Sequence, residues 1–179
     1  MDLISFLPRA VMQGIPLLYG STGEILTEKS GNLNLGIPGI MYVGGICGVI
    51  GAFFYEQSTP AASMNGLLAV GIPMLCSLLG SLLMGLLYCL LTVTLRANQN
   101  VTGLALTTFG MGVANFFGVF ILNGASYTAA PLAYKAFSAM IPVLSGLGVV
   151  GKVLFSYGFL AYAAIVLAVV LHWFFTRTR

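Results

Sequence analysis

Charge is what this chain has least of. Only 6% of its 179 residues are Asp, Glu, Lys or Arg, and histidine occurs once. So few charges cannot cover a water-soluble domain of this length. The lone His172 leaves little for general acid–base chemistry, and neither Gly-x-Ser-x-Gly nor His-Glu-x-x-His occurs. Cys47, Cys76 and Cys89 all fall in apolar segments, and no two form Cys-x-x-Cys. They read as small packing residues, neither a disulfide framework nor a metal site. No Walker phosphate loop is present. Gly146–Gly151 matches Gly-x-Gly-x-x-Gly, but no strand precedes it and no Asp or Glu follows it to hold a ribose, so no nucleotide cofactor is expected. The basic residues are scattered without interleaved aromatics, so the net charge of +3 does not point to nucleic acid. Asp2 is acidic and no basic stretch precedes Leu3–Leu7, so no secretory signal is read; targeting falls to the first span.

What is present is apolar. Hydrophobic residues make up 59% of the chain and the mean hydropathy is +1.01. The expected fold is all-α and polytopic, a single transmembrane domain over residues 1–179. Runs of lipid-spanning length predict five helices, at about Ala10–Thr27, Leu35–Tyr55, Gly66–Leu95, Val101–Leu122 and Val153–Phe175. Pro73 is expected to kink the third. The connections Glu28–Asn34 and Arg96–Asn100 are short and polar. Asn123–Lys152 is the longest, and Ala136–Leu144 within it could form a short interfacial helix. With the Arg-rich end inside, the N-terminus falls outside. Lys29, Arg96, Arg177 and Arg179 then lie inside, against Arg9, Lys135 and Lys152 outside. Small residues four apart recur at Gly44, Gly48 and Ala52, at Ser77, Ser81 and Gly85, and at Gly110, Ala114 and Gly118, the spacing that lets helix backbones approach closely in lipid.

The few polar groups are concentrated. Glu24, Glu28 and Lys29 sit beside Asn32 and Asn34 in the first polar interruption. Polar groups against spanning helices mark a path, a coupling surface or a tight protein contact. Glu24 and Glu28 share a helix face one turn apart. They either line an inner mouth or bind a cytoplasmic partner, or simply end a helix in water. Asn32, Asn34, Asn98, Gln99 and Asn100 lie beside helix starts, where amides cap backbone groups or hydrogen-bond a polar solute. Asn115 and Thr107 lie within the fourth span. An amide at membrane depth normally faces protein or a water-filled route, so Asn115 is the strongest candidate for a substrate pathway that is also expected to take in Thr107, Asn34, Asn98 and Gln99. His172 beside Trp173 reads as an interfacial anchor.

Two of these segments carry a resemblance. Gly-Glu-Ile-Leu-Thr-Glu-Lys-Ser-Gly-Asn-Leu-Asn-Leu-Gly-Ile (23–37) and Leu-Arg-Ala-Asn-Gln-Asn-Val-Thr-Gly-Leu-Ala-Leu-Thr (95–107) resemble motifs of ABC importer permeases of the branched-chain amino acid, ribose and nucleoside superfamily. Gly-Ala-Ser-Tyr-Thr (124–128), followed by a proline-containing external loop, also fits the nucleoside or simple-sugar branch. The resemblance covers about Leu17 to Arg179. It implies a permease subunit in a bacterial-type plasma membrane that imports a nucleoside or related sugar. Its implied partners are cytoplasmic ABC ATPases, a second permease subunit and an external solute-binding lipoprotein. ATP hydrolysis would belong to the separate subunits, and the chain would need no cofactor. Pro38 stands where the family usually has an acidic residue; proline is tolerated in a helix's first turn. The resemblance also implies a fragment, the N-terminal portion of a permease, with the coupling helix and later spans absent. Alternatives are an inactive truncated remnant and a permease for another small polar solute, a sugar or a branched-chain amino acid. A secondary transporter lacks coupling carboxylates deep in its spans. A scaffold without a pathway would not need Asn115.

Overall fold

The computed structural model describes residues 3–60, 63–124, 131–138 and 157–177. Helices α1 (Leu3–Lys29), α2 (Ile37–Ser58), α3 (Gly66–Cys89), α4 (Gln99–Gly124), α5 (Pro131–Phe137) and α6 (Phe159–Arg177) follow in order. α3 continues into a π-helical turn over Leu90–Thr94. The protein is all-α and polytopic.

Among the described residues four helices, not five, are long and apolar enough to cross a membrane: Ile37–Ser58, Gly66–Thr94, Gln99–Ile121 and Phe159–Arg177. The expected first span lies within α1. There Gln13, Pro16, Glu24 and the Gly-Ser-Thr-Gly run from Gly20 dilute its hydropathy. The short helix described in the long connection is α5, which shares only Ala136 and Phe137 with the expected Ala136–Leu144. Pro131 opens it, since a fixed φ and a missing N–H suit a first helical position. Residues 139–144 of that expectation, the Gly146–Gly151 turn and the expected start of the last span at Val153 lie outside the described residues.

The chain divides into two compact units, residues 27–136 and residues 1–26 with 137–179. In the larger, α2 is central and packs on both α3 and α4. The α2–α3 seam is antiparallel. A methyl group added at Gly48 would sit 3.2 Å from the Pro73 carbonyl oxygen, and one at Gly44 would strike the Ser81 hydroxyl. Each helix also receives a thiol from the other. A Cβ at Gly51 would lie 2.6 Å from Cys76 Sγ, and one at Gly80 would lie 2.6 Å from Cys47 Sγ. Gly85, at the end of the expected Ser77–Ser81 stripe, has open space and takes no part in the seam. α2 and α4 run parallel: Gly36 meets Gly103, Gly39 meets Leu106, Thr107 and Gly110, and Ile46 approaches Gly118. Val43, Met84, Tyr88 and Leu106 form the buried centre where the three helices meet. Glycine matters here because, among lipid tails, close backbone packing replaces the hydrophobic drive.

In the smaller unit the Tyr19 hydroxyl of α1 donates to the Leu160 carbonyl at 2.9 Å. Thr22 is buried and turns its hydroxyl back onto the Tyr19 carbonyl at 2.8 Å. Ala161 and Ala164 are buried on α6. The Phe137 ring stacks on Phe159 with centroids 6.0 Å apart.

Candidate functional site

The densest polar construction is the connection between α1 and α2, Ser30–Gly36. It begins where α1 stops. Gly31 takes a left-handed φ of +89°, which a side chain resists. That turn lets the Gly31 N–H reach the Glu28 carbonyl at 3.0 Å and the Asn32 N–H reach the Thr27 carbonyl at 3.0 Å. These two bonds are the Schellman pattern that closes the last carbonyls of a helix.

The strand of chain that follows is gripped from two helices. Gln99, at the first position of α4, accepts from the Leu33 N–H at 2.9 Å and donates to Asn32 Oδ1 at 2.9 Å. Tyr88, buried on α3, donates to the Leu33 carbonyl at 2.7 Å. Thr107 on α4 donates to the Leu35 carbonyl at 2.8 Å. Asn34 is 4% exposed, and its Oδ1 accepts from the Gly36 N–H at 2.9 Å, leading the chain into α2. Gly103 makes room for the loop: a Cβ there would lie 2.9 Å from Leu35 N and from Gly36 N. Pro38 occupies the first turn of α2 without disturbing it. Buried backbone polar groups must be paired, and this collar pairs them where the chain enters the apolar bundle.

The α3–α4 connection abuts the same construction. The π turn at the end of α3 gives a 3.0 Å bond from the Leu95 N–H to the Leu90 carbonyl, and a 2.9 Å bond from the Ala97 N–H to the Leu91 carbonyl. Arg96 takes φ +53° to make that exit. Asn98 Oδ1 then accepts from the Asn100 N–H at 3.0 Å and the Val101 N–H at 3.2 Å, capping α4.

The expected site residues are therefore divided. Asn32, Asn34, Asn98, Gln99 and Thr107 come together in the collar and its caps, hydrogen-bonded to backbone or to one another. Asn115 is elsewhere. It is exposed on α4, and at about 100° per residue it shares a face with Thr108 and Gly112, on the side turned from α2. Gly112 has nothing within 4 Å. Glu24 is half-buried and Glu28 and Lys29 are exposed in the last turns of α1. Tyr88, Gly36, Gly39 and Gly103 were missing from the sequence reading. One tyrosine in a leucine-rich helix was the available signal for the first, since a buried phenol needs a partner.

Helices of this length, joined by glycine seams and closed by a hydrogen-bonded polar collar, make a multi-pass membrane protein. The chain belongs to the family described as branched-chain amino acid transport system / permease component, which matches residues 7–179. It is similar to the guanosine ABC transporter permease protein NupQ of Bacillus subtilis (strain 168), 27% identical over 160 residues, 87% of this chain and 48% of that protein. It is also similar to the nucleoside ABC transporter permease protein NupC of Lactococcus lactis subsp. cremoris (strain MG1363), 29% identical over 166 residues, 92% of this chain and 49% of that protein. The putative glucose ABC transporter permease protein TsgC13 of Haloferax volcanii is 31% identical over 102 residues, 57% of this chain and 27% of that protein. The chain thus spans about half the length of the two nucleoside relatives. No solved structure matches it.

Proposed function

We propose that this chain forms part of the membrane route of an ATP-driven importer whose solute is a nucleoside. The observation that carries this reading is family membership over residues 7–179, joined to two relatives named for guanosine and nucleoside transport. In this reading separate cytoplasmic ATPases hydrolyse ATP. A second permease subunit completes the route, and an external solute-binding lipoprotein delivers the solute. The location is a bacterial-type plasma membrane with the N-terminus outside. Glu24, Glu28, Lys29 and Asn32 then lie on the cytoplasmic side, with the collar.

Alternating access needs one set of helices to move as a block against another, a two-state element whose balance ATP and solute shift. The glycine seams and the collar supply such a block. Thr107, Asn34, Asn98 and Gln99 hold its frame. Asn115 is assigned to the solute path, because its amide stands at membrane depth on a face that the frame leaves open. An amide both donates and accepts, which suits the ring edges and hydroxyls of a nucleoside. A sugar is the second reading, favoured by the relative named for glucose.

The test is competitive uptake in cells carrying the whole importer. Labelled guanosine should enter and be displaced by other nucleosides. Asn115→Leu should cut uptake about tenfold, the effect of losing one hydrogen-bonding group in a desolvated site, with membrane abundance unchanged. Glucose entering in place of nucleosides would refute the nucleoside assignment, and unchanged uptake in the Leu variant would remove Asn115 from the path.

A further inference from the structure

Glu56 is the chain's last acidic residue, with none between it and Arg179. It lies near the end of α2 opposite the collar, since α2 is 22 residues long, or about 33 Å. Its Oε1 accepts from the Ala133 N–H at 2.8 Å, across 77 residues of sequence. Ala133 belongs to the first turn of α5 and is only 4% exposed.

A helix of seven residues has too few internal bonds to hold itself together in water. Its early N–H groups have no intrahelical acceptor, and a carboxylate there supplies both a charge-assisted hydrogen bond and a favourable interaction with the helix dipole. Pro131 contributes no N–H, so Glu56 serves one of the few that remain. The Tyr55 hydroxyl, one residue earlier, accepts from the Asn65 N–H at 3.3 Å, so neighbouring side chains organise two connections at this end of the bundle. With Ala133 turned inward, the two residues that follow it on α5 turn out of the packed face: Tyr134 is 75% exposed, and Lys135 is exposed beside it.

We infer that Glu56 is a positioning residue: its carboxylate straps α5 to the end of α2 and so fixes the outward display of Tyr134 and Lys135 in the connection that follows α4. The consequence for transport rests on the importer reading above. There this end of α2 is the outer one, and the strap sets the shape of the surface through which solute is captured.

The experiment is hydrogen–deuterium exchange on the full chain in lipid nanodiscs, paired with uptake kinetics in cells carrying the whole importer. Glu56→Ala should speed exchange in the peptide 131–137 about tenfold, as expected for losing one charge-assisted hydrogen bond. Exchange in the α2–α3 seam should stay at the native rate. Glu56→Gln keeps the accepting oxygen and should restore most of the protection, and Gln57→Ala, an exposed neighbour, should change nothing. In uptake, Glu56→Ala should raise the apparent KM several-fold at unchanged maximal rate, and Glu56→Gln should return it towards native. Native exchange in Glu56→Ala overturns the strap. Faster exchange with unaltered KM overturns its role in capture. Faster exchange in a protein that imports no nucleoside upholds the strap and overturns the importer reading instead.

Discussion

Gly39 offers the sharpest test of the packing argument. A methyl group at this position would meet backbone, not the yielding end of a side chain: it would strike the Leu106 carbonyl oxygen and lie 2.7 Å from Thr107 Cα and 2.8 Å from the Leu106 carbonyl carbon. Ordinary carbon contacts begin near 3.5 Å, so α2 and α4 must part by roughly 1 Å to admit it. A gap of that size forfeits a quarter to a half of the contact energy along the seam, and overpacking of this kind costs about 1–3 kcal/mol. Alanine recovers up to about 1 kcal/mol through its better helix propensity, and the rigid backbone obstacle puts the cost at the upper end of its range, so Gly39→Ala should lose about 2 kcal/mol net. Gly45, on the same helix, has nothing within 4 Å, and Gly45→Ala should be neutral or gain up to about 1 kcal/mol. Reversible unfolding in mixed micelles reads both, and the expected gap between them is about 2–3 kcal/mol. Gly110 meets Gly39 itself, with its added Cβ 2.6 Å from Gly39 Cα. The double variant Gly39→Ala with Gly110→Ala should therefore cost less than the two singles together, because one separation of the helices serves both methyls. Equal stability of Gly39→Ala and Gly45→Ala would refute the reasoning.

Two further variants probe the collar by the same unfolding assay. Gln99→Ala strips the Leu33 N–H and Asn32 Oδ1 of their shared partner and should cost about 1–3 kcal/mol, whereas Tyr88→Phe, which removes one hydroxyl from the Leu33 carbonyl, should cost about 1 kcal/mol; a Gln99→Ala protein as stable as native would show that the collar does not support the fold. Gly31→Ala places a side chain at φ +89°, where the surroundings are open, and should cost about 1–2 kcal/mol from backbone conformation alone; D-alanine introduced at the same position by semisynthesis should recover most of that loss.

The sequence was legible where a one-dimensional signal carries a one-dimensional fact. Apolar runs set the spans through α2, α3, α4 and α6, and only α1 fell short of the expectation, its prolines and polar residues weakening a run that is still one helix. The caps were equally local: Asn34, Asn98 and Pro38 act within two or three residues of themselves. The small-residue stripes pointed to the α2–α3 seam but not to its register, and Gly85 fits the spacing yet faces open space where a side chain would stand.

By itself, then, the sequence determined an all-helical, lipid-embedded permease of this family, because hydropathy and motif order survive in the linear chain. Only the tertiary structure decided which polar residues are occupied by the fold. Gln99 reaches Asn32 across 67 residues, Thr107 reaches Leu35 across 72, and Glu56 serves Ala133 across 77. No local pattern encodes such pairs. A hydrogen bond is settled by where two helices come to lie, and that is settled by which glycine lets which backbone approach.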